Sequence, residues 1–205
     1  EVIASTGSIE RPLVFGNNDR PGIMLASAAK EYLKVYGVLV GKKPIIFTNN
    51  DSAYDLAIDF KKSGINPIVI DVRNKSNGSA PKEAKSLNID IRFSHAVANA
   101  KGYLKVKSAI VGKLNEKKSD YEKFEEISCD CICVSGNWTP TVHLSSQSGN
   151  KLKFNEKINA FIPNEPRQKE NTIGSANGSF TLKKSLEEGF NKGFEVSNKI
   201  TKKNI

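Results

Sequence analysis

The stretch that most constrains the fold runs from Lys42 to Arg73. A short apolar run, Pro44 to Phe47, is followed by a polar turn and then by an amphipathic stretch from Ser52 to Ser63. A second apolar run, Pro67 to Asp71, ends in an acidic residue. A strand, a helix and a second strand in this order predict a βαβ unit with parallel strands.

The turn after the first of these strands lacks the glycines that a dinucleotide site uses. In dinucleotide-binding βαβ units a G-x-G-x-x-G/A turn lets the backbone approach the pyrophosphate, and an acid about 20 residues later binds a ribose hydroxyl. Asp71 stands where that acid is expected, although it could instead cap or pair at the strand end. Asn50 would place a side chain where the phosphates should lie, and Asp51 would add a negative charge. The unit therefore predicts the fold but argues against a dinucleotide at this turn.

Hydrophobic periodicity predicts further elements along the chain. Helices are expected over Pro21–Tyr36, Lys82–Leu87 and Ser179–Ile200. Strands are expected over Val2–Ser5, Ile89–Ser94, Tyr103–Val111, Tyr121–Ile127, Ile127–Ser135 and Lys151–Phe154. The alternating runs that start at Tyr103 and Tyr121 are expected to pair as antiparallel neighbours.

The last predicted helix carries apolar residues on one face. Glycines lie beside that face, so we expect the helix backbone to lie close against a sheet. A loop of small residues precedes the helix, and such a loop can direct backbone N–H groups and the positive helix end towards a phosphate or ring of a cofactor. The residues of the face are Leu182, Leu186, Phe190, Phe194 and Ser197, with Gly189 and Gly193 beside them.

Composition and charge exclude several classes of protein. The formal net charge is +9, but the lysines come in scattered pairs and no run interleaves them with aromatic residues, so we expect no nucleic-acid groove. No 20-residue apolar run and no leader pattern is present, so neither a membrane span nor export is expected. Because the first residue is Glu1 and not methionine, we expect the chain to be a piece of a longer polypeptide.

The cysteines and histidines do not form a recognisable catalytic or metal site. Cys129, Cys131 and Cys133 alternate along a predicted strand, about 6.5 to 7 Å apart, which is beyond easy disulfide reach. Small buried side chains in a reducing cytoplasm are favoured over a metal site, because no His or Cys pair has zinc spacing. His95 and His143 have no obvious nucleophile partner, so no catalytic residue is assigned.

One motif occurs twice in the chain. A strand followed by a small residue, a glycine and a proline-containing loop appears at Thr6-Gly7 and again at Ser135-Gly136. Such a repeat is what two dinucleotide-type domains, with the chain crossing between them, would leave in a sequence. Together with three other stretches, the motif resembles the alpha subunit of heterotetrameric sarcosine oxidase and, more broadly, the pyridine nucleotide-disulfide reductase fold. The matching stretches are Ser5–Pro12, Asn18–Ser27, Phe47–Tyr54, Val134–Pro140 and Gly174–Gly178.

The resemblance implies an α/β fold of two parts. A three-layer, Rossmann-like dinucleotide-binding domain with a degenerate fingerprint, residues 12–156, is inserted into a partial FAD/NAD(P)-type domain, residues 1–11 and 157–205. An antiparallel β meander accompanies the inserted domain. In this family the FAD-type site holds NAD.

The resemblance also implies which residues contact NAD. Thr6 and Gly7 would line the adenosine side of the site. The nicotinamide end would be closed by Gly174, Ser175, Ala176, Asn177 and Phe180.

The activity implied for the parent complex is the oxidative demethylation of sarcosine to glycine, with folate as one-carbon acceptor and hydrogen peroxide as product. FAD, FMN and tetrahydrofolate would bind outside this chain, and the partners would be the beta, gamma and delta subunits. The isolated chain is expected to be inactive and to hold no catalytic or metal residue. Two alternatives stay open, namely a scaffold for subunit contacts without a nucleotide, and the alpha subunit of a related amine or opine dehydrogenase.

Overall fold

The computed structural model describes residues 1–201. The strands are β1 Val2–Ala4, β2 Ser8–Glu10, β3 Ile23–Leu25, β4 Pro44–Thr48, β5 Ile68–Asp71, β6 Asp90–Phe93, β7 His95–Lys101, β8 Ser108–Leu114, β9 Tyr121–Ser128, β10 Cys131–Ser135, β11 Trp138–Pro140, β12 Leu152–Asn155, β13 Ala160–Pro163 and β14 Glu170–Thr172. The helices are α1 Ala26–Tyr36, α2 Tyr54–Lys62, α3 Ser79–Ser86, α4 His143–Gln147 and α5 Leu182–Thr201, with a 3₁₀ turn at Gly174–Asn177.

The chain divides into two compact units. The inner unit comprises residues 10–137, and the outer unit comprises residues 1–9 and the segment from 138 onwards. The sequence analysis places the domain boundaries at 11/12 and 156/157. Its division into an inserted Rossmann-like domain and a partial FAD/NAD(P)-type domain stays a prediction.

The inner unit is built on a five-stranded parallel sheet. Its strand order is β3-β10-β4-β5-β6. The βαβ unit expected from the sequence is present as β4, α2 and β5, in the register Ile45↔Ile68 to Thr48↔Asp71. Every residue of β4 and β10 is buried, as expected of parallel strands covered on both faces.

Two apolar layers cover the parallel sheet. On one face, Ile46 and Val69 pack with Phe60 and other residues of the helices. On the other face, Phe47 and Ile70 pack with residues of the antiparallel sheet β7-β8-β9. The fold class expected from the sequence, a three-layer Rossmann-like α/β domain with an antiparallel meander, is therefore confirmed.

The first predicted helix begins later than the sequence indicates. Ile23–Leu25 pairs in parallel with β10, and helix α1 starts only at Ala26. Pro21, with which the predicted helix begins, therefore lies outside the helix. The helix start is held instead from outside, because the carboxylate of Glu10 accepts a hydrogen bond of 2.8 Å from the backbone N–H of Ser27.

The first strands of the meander also lie at different residues from those predicted. The predicted strand Tyr103–Val111 is wrong over its first half, since the strand runs from Ser108 to Leu114. A strand that the sequence did not reveal, β7, precedes it and pairs with it in antiparallel fashion. The expected antiparallel pairing with β9 is confirmed, for example at Val111↔Glu125.

The predicted strand Ile127–Ser135 is broken in the middle. Its two halves are β9 and β10, and Asp130 lies between them. The carboxylate of Asp130 accepts hydrogen bonds of 2.8 Å from the backbone N–H groups of Lys42 and Lys43. Because of this break the three cysteines do not share a face, and Cys129 packs against the meander layer while Cys131 and Cys133 pack against the helices.

The outer unit contains short strand pairs and the long helix α5. Strand β1 pairs in parallel with β14, β2 pairs with β11, and β12 pairs in antiparallel fashion with β13. The expected packing of the apolar face of α5 on a sheet is wrong for the part of the chain that the structure describes. The apolar residues of this face are 64 to 76% exposed, namely Leu182, Leu186, Phe190 and Phe194. The helix instead turns Val196 inward, and its side chain is buried.

Candidate nucleotide-binding site

Two turns of small residues leave the same edge of a parallel strand pair in the outer unit. Strands β1 and β14 are parallel, with Ala4 opposite Thr172, and the N–H of Ile173 donates a 3.0 Å hydrogen bond to the carbonyl of Ala4. The turn at Thr6–Gly7 follows β1, and the turn at Gly174–Asn177 follows β14. In open α/β sheets, ligands bind outside the carboxyl ends of parallel strands. The structure therefore brings the two groups of predicted residues to one edge.

The turn after β1 is open on one side and anchored on the other. Gly7 has a φ of +79°, and a Cβ placed on it would have no heavy-atom neighbour within 4 Å. The hydroxyl of Thr6 donates a 2.7 Å hydrogen bond to the carbonyl of Thr141, whose own N–H donates to the carbonyl of Gly7 at 3.0 Å. The Thr6 hydroxyl oxygen keeps its capacity to accept a hydrogen bond from a ligand.

The turn after β14 is held by a carboxylate from α5. Glu188 accepts a hydrogen bond of 2.6 Å from the N–H of Gly174 and one of 3.1 Å from the side-chain amide of Asn177. An anion therefore already occupies two donors that a phosphate would use. This geometry favours contact with a neutral or positively charged part of a ligand at this turn over contact with a phosphate.

The remaining residues of this turn differ in exposure. Ala176 is fully buried and packs inside the protein. Ser175, Asn177 and Phe180 are half-buried and remain accessible. Contact of Ala176 with a cofactor stays a prediction, and it would require the turn to move.

A cavity of about 200 Å³ lies beside the turn. Thr172, Asn177 and Lys192 are among its lining residues. The cavity is below the 300 to 1,000 Å³ that is typical of a site for a small organic ligand, and a dinucleotide is larger still.

In the inner unit, side chains fill the position at which a dinucleotide site would form. The amide of Asn50 donates hydrogen bonds of 3.1 and 3.0 Å to the carbonyl and hydroxyl of Ser135, at the end of the neighbouring strand β10. Its carbonyl oxygen accepts from the N–H of Ser52 at 3.0 Å. Asn50 thus joins the ends of two strands at the edge where a pyrophosphate would lie.

The acid at the end of β5 is also engaged. Asp71 is fully buried and accepts a 2.7 Å hydrogen bond from the hydroxyl of Tyr54. Arg73 donates to the same carboxylate at 2.7 Å and reaches Asp51 at 2.7 Å as well. The prediction that Asp71 pairs at the strand end is confirmed, and little of its capacity is left for a ribose.

The electrostatics of this cluster stabilise Arg73 as a cation and Tyr54 as a neutral phenol. Burial, followed by the hydrogen bond to Asp71, raises the pKa of Tyr54 above its usual range. Burial opposes the charge of Arg73, but hydrogen bonds and opposite charges from Asp71 and Asp51 outweigh it and raise the pKa of Arg73. A nucleotide would have to break this network to bind here.

Sequence reasoning missed three residues that define these two regions. Arg73 follows Asp71 by two positions, so a strand-end ion pair could have been expected from the sequence. Tyr54 and Glu188 reach their partners through tertiary packing from a helix, over 17 and 14 positions, and no local pattern indicates them.

The cysteines are chemically protected. Cys129, Cys131 and Cys133 are free and buried. Burial raises the pKa of the Cys129 thiol to about 12, and the hydrogen bond to Cys131, followed by burial, raises the pKa of Cys133. Within residues 1–201, no three His, Cys, Asp or Glu side chains come together as a metal site would require. None of the helices in that range is long and apolar enough to cross a membrane.

Curated relatives match nearly the whole chain. It is 37% identical over 195 residues to sarcosine oxidase subunit alpha of Corynebacterium sp. strain P-1, and 32% identical over 190 residues to the subunit of that name from Rhizobium meliloti. Each match covers 92% of this chain but 20% and 18% of the relative, so the chain spans about one fifth of their length. No family model matches.

Solved structures support the fold. Thioredoxin reductase of T. acidophilum superposes with a TM-score of 0.70 at 16% identity, over 92% of this chain and 62% of that one. Thioredoxin reductase of Lactococcus lactis has a TM-score of 0.68 at 13% identity, over 91% and 61%. At this identity the likeness to solved structures concerns the fold alone. Over the segment that it spans, the chain is similar in sequence to sarcosine oxidase alpha subunits.

Proposed function

We propose that the outer unit supplies one edge of an NAD-binding site in an oxidoreductase subunit. The observation that carries the proposal is the parallel register of β1 and β14, which places Thr6–Gly7 and Gly174–Asn177 at one carboxyl edge. Thr6 and Gly7 would lie along the adenosine side. The Gly174 turn, with Phe180, would close the nicotinamide end.

The residues at this edge fit such a ligand in specific ways. The space beside Gly7 is open, so the backbone can approach a ligand closely. The carboxylate of Glu188 gives the other turn a negative electrostatic character, which suits the cationic ring of oxidised nicotinamide. When bound, NAD would supply a nicotinamide ring and two phosphates, and the phosphates would have to find their donors elsewhere than at Gly174.

The inner unit is unsuited to a nucleotide, and this supports the assignment of the NAD contacts to the outer unit. Asn50 occupies the phosphate position, and Arg73 and Tyr54 engage the acid that would hold a ribose. We infer that this unit keeps the Rossmann-like fold for structural reasons.

At the level of the parent protein, we propose a part in the oxidative demethylation of sarcosine to glycine, with folate as one-carbon acceptor and hydrogen peroxide as product. The relatives named as sarcosine oxidase subunit alpha support this role. The catalytic residues, FAD, FMN and tetrahydrofolate would lie outside this chain, and the beta, gamma and delta subunits would be its partners. Three free, buried thiols suit a reducing cytoplasm.

A second candidate function is a scaffold for subunit contacts without a bound nucleotide. The exposed apolar residues of α5 favour it, because contiguous apolar surface of this kind marks an interaction site. The two candidates differ in whether the parent protein binds NAD.

The proposal is tested by measuring NAD binding to the parent-length subunit, which is the longer polypeptide of which this chain would be a segment. Isothermal titration with Gly7→Val should show at least about a tenfold loss of affinity relative to the unchanged subunit, since the added side chain enters the ligand space. Asn50→Ala is the matched control in the inner unit and should leave the affinity within about twofold. If the unchanged subunit binds no NAD, or if only Asn50→Ala weakens binding, the assignment is wrong.

A further inference from the structure

The loop between β7 and β8 ends in two exposed apolar residues. Tyr103 is 90% exposed and Leu104 is 79% exposed. Loop tips usually carry glycine, proline, asparagine, aspartate or serine, so an adjacent tyrosine and leucine at this place need a reason. We name residues 101–107 the Tyr103 tip.

The base of the Tyr103 tip is fixed by the protein around it. The N–H of Lys107 donates a 2.8 Å hydrogen bond to the carbonyl of Lys101, which closes the loop. Val106 is 1% exposed, and its N–H donates to the carbonyl of Pro21 at 2.9 Å. Because Val106 enters the core, Tyr103 and Leu104 are directed outwards by a fixed backbone.

Two glycines make this conformation possible. Gly102 has a φ of +141°, and a Cβ on it would collide with the carbonyl oxygen of Lys105. A Cβ on Gly22 would lie 2.7 Å from Cγ1 of Val106, so that glycine provides the space for the anchor. An apolar pair on a preorganised loop loses little conformational entropy when it binds.

The charges around the tip indicate the chemistry of its partner. Lys105 and Lys107 are exposed, and within residues 1–201 neither has an ion-pair partner. Lys101, in contrast, pairs with Glu126 at 2.7 Å. The tip thus combines two apolar side chains with two uncompensated positive charges.

We propose that the Tyr103 tip inserts into an apolar pocket with an acidic rim on another subunit of the same complex. Tyrosine is enriched among the residues that dominate protein–protein binding, and complementary charge around it fixes orientation and speeds association. A membrane surface would require a larger apolar face than two residues. The proposal rests on the multisubunit complex proposed above, but it does not depend on NAD binding in the outer unit.

The test uses the parent-length subunit assembled with the subunits that co-purify with it. A photo-crosslinking amino acid, p-benzoylphenylalanine, in place of Tyr103 should crosslink to another subunit, within a peptide that contains Asp or Glu. Tyr103→Ser with Leu104→Ser should weaken assembly by about thirtyfold or more. Lys105→Glu with Lys107→Glu should weaken it by about tenfold at low salt and much less at high salt.

Matched controls lie in the same molecule. Lys117→Glu with Lys118→Glu makes the same charge change in the neighbouring loop of the same sheet, and Tyr36→Ser removes an exposed aromatic residue from α1. Both should leave assembly within about twofold. The proposal would be overturned by crosslinks that form only within the same polypeptide, to a second copy of it or to lipid. Equal effects of the test and control variants would also overturn it. NAD affinity should not change in any of these variants.

Discussion

At the scale of the residue, the molecule uses polar side chains to close a site that its fold would otherwise offer. Asn50 and Tyr54 each reach across to a neighbouring element, and Arg73 joins Asp71 to Asp51, so that polar groups at the carboxyl edge of the inner sheet are satisfied. The buried carboxylate of Asp71 is stable there because its partners replace the water that it would bind.

Removing one of these partners should therefore reduce stability. Tyr54→Phe deletes the hydroxyl that donates to Asp71 at 2.7 Å, and we expect the free energy of unfolding to fall by about 1 to 3 kcal/mol. Denaturant unfolding measures this change. Tyr103→Phe, at an exposed site, should change stability by less than about 0.5 kcal/mol, and an equal effect of both variants would contradict the role of the hydrogen bond.

Burial of the Cys129 thiol predicts a loss of stability in alkali. Its pKa is raised from 9.0 to about 12, so below pH 9 both folded and unfolded chains hold the proton and pH has no effect through this group. Above pH 9 the unfolded chain releases a proton that the folded chain keeps. The free energy of unfolding should then fall by about 1.4 kcal/mol per pH unit until the folded pKa is reached.

Unfolding curves between pH 8 and 11 measure this slope. Cys129→Ala should make it shallower by that amount, whereas Ser128→Ala, at the exposed neighbouring position, should leave it unchanged. A slope that is the same in all three chains would show that the thiol ionises equally in both states.

At the scale of the element, two segments expose apolar surface in a regular conformation. Helix α5 presents Leu186 and Phe190 within its exposed face, and the Tyr103 tip presents its apolar pair on a closed loop. In each case the backbone is already ordered, so the exposed side chains are held in position for contact with another surface.

The exposed face of α5 should make the 205-residue chain self-associate. Leu186→Glu with Phe190→Glu should shift its sedimentation towards the monomer and reduce binding of a hydrophobic dye, without loss of helical circular dichroism. Asn191→Glu with Asn198→Glu adds the same charge at other exposed positions of α5 and should have much less effect. Equal solubilisation by both pairs would mean that net charge, and not the apolar face, controls association.

The loop glycine at the base of the tip should be intolerant of a side chain. Gly102→Ala forces a β-carbon against the carbonyl of Lys105 at a φ of +141°, and we expect a loss of about 1 to 3 kcal/mol in the free energy of unfolding. Gly37→Ala, also at positive φ but with open space around it, should lose only about 1 kcal/mol. Thermal unfolding of the two variants distinguishes a collision from backbone strain alone.

At the scale of the whole molecule, the positive charge is spread and partly compensated. The chain has 31 Lys and Arg against 22 Asp and Glu. Many lysines lie in ion pairs on separate elements, such as Lys30 with Asp55, Lys62 with Glu83 and Lys113 with Glu122. A continuous basic groove, which a nucleic acid would need, does not follow from the net charge alone.

Binding of duplex DNA should accordingly be weak and nonspecific. A fluorescence anisotropy titration with a 20-base-pair duplex at 0.15 M salt should give a dissociation constant no tighter than about 10 μM. Tight binding that persists at this salt, or discrimination between duplexes of different sequence, would contradict the assignment of the lysines to solvated surfaces.

Much of the architecture could be predicted from the sequence, because it rests on local patterns. The apolar runs at Pro44 and Pro67 and the amphipathic stretch between them required a parallel βαβ unit. The missing glycines at Thr48 to Ala53 already argued against a phosphate cradle. The errors, at Ile23–Leu25, at Tyr103 and at Cys129–Asp130, fall where a long-range partner decides between helix, strand and turn.

The sequence by itself determined the fold class and the parallel direction of β4 and β5, since these depend on periodicity and on the order of residue types along the chain. Its motifs also carried the resemblance to sarcosine oxidase alpha subunits. The tertiary structure alone decided that Asn50 bridges to Ser135, that Glu188 occupies the Gly174 turn, and that the apolar face of α5 lies exposed. The physical reason is that a hydrogen bond or a buried face depends on which groups meet in space, and partners far apart in the chain leave no local signal.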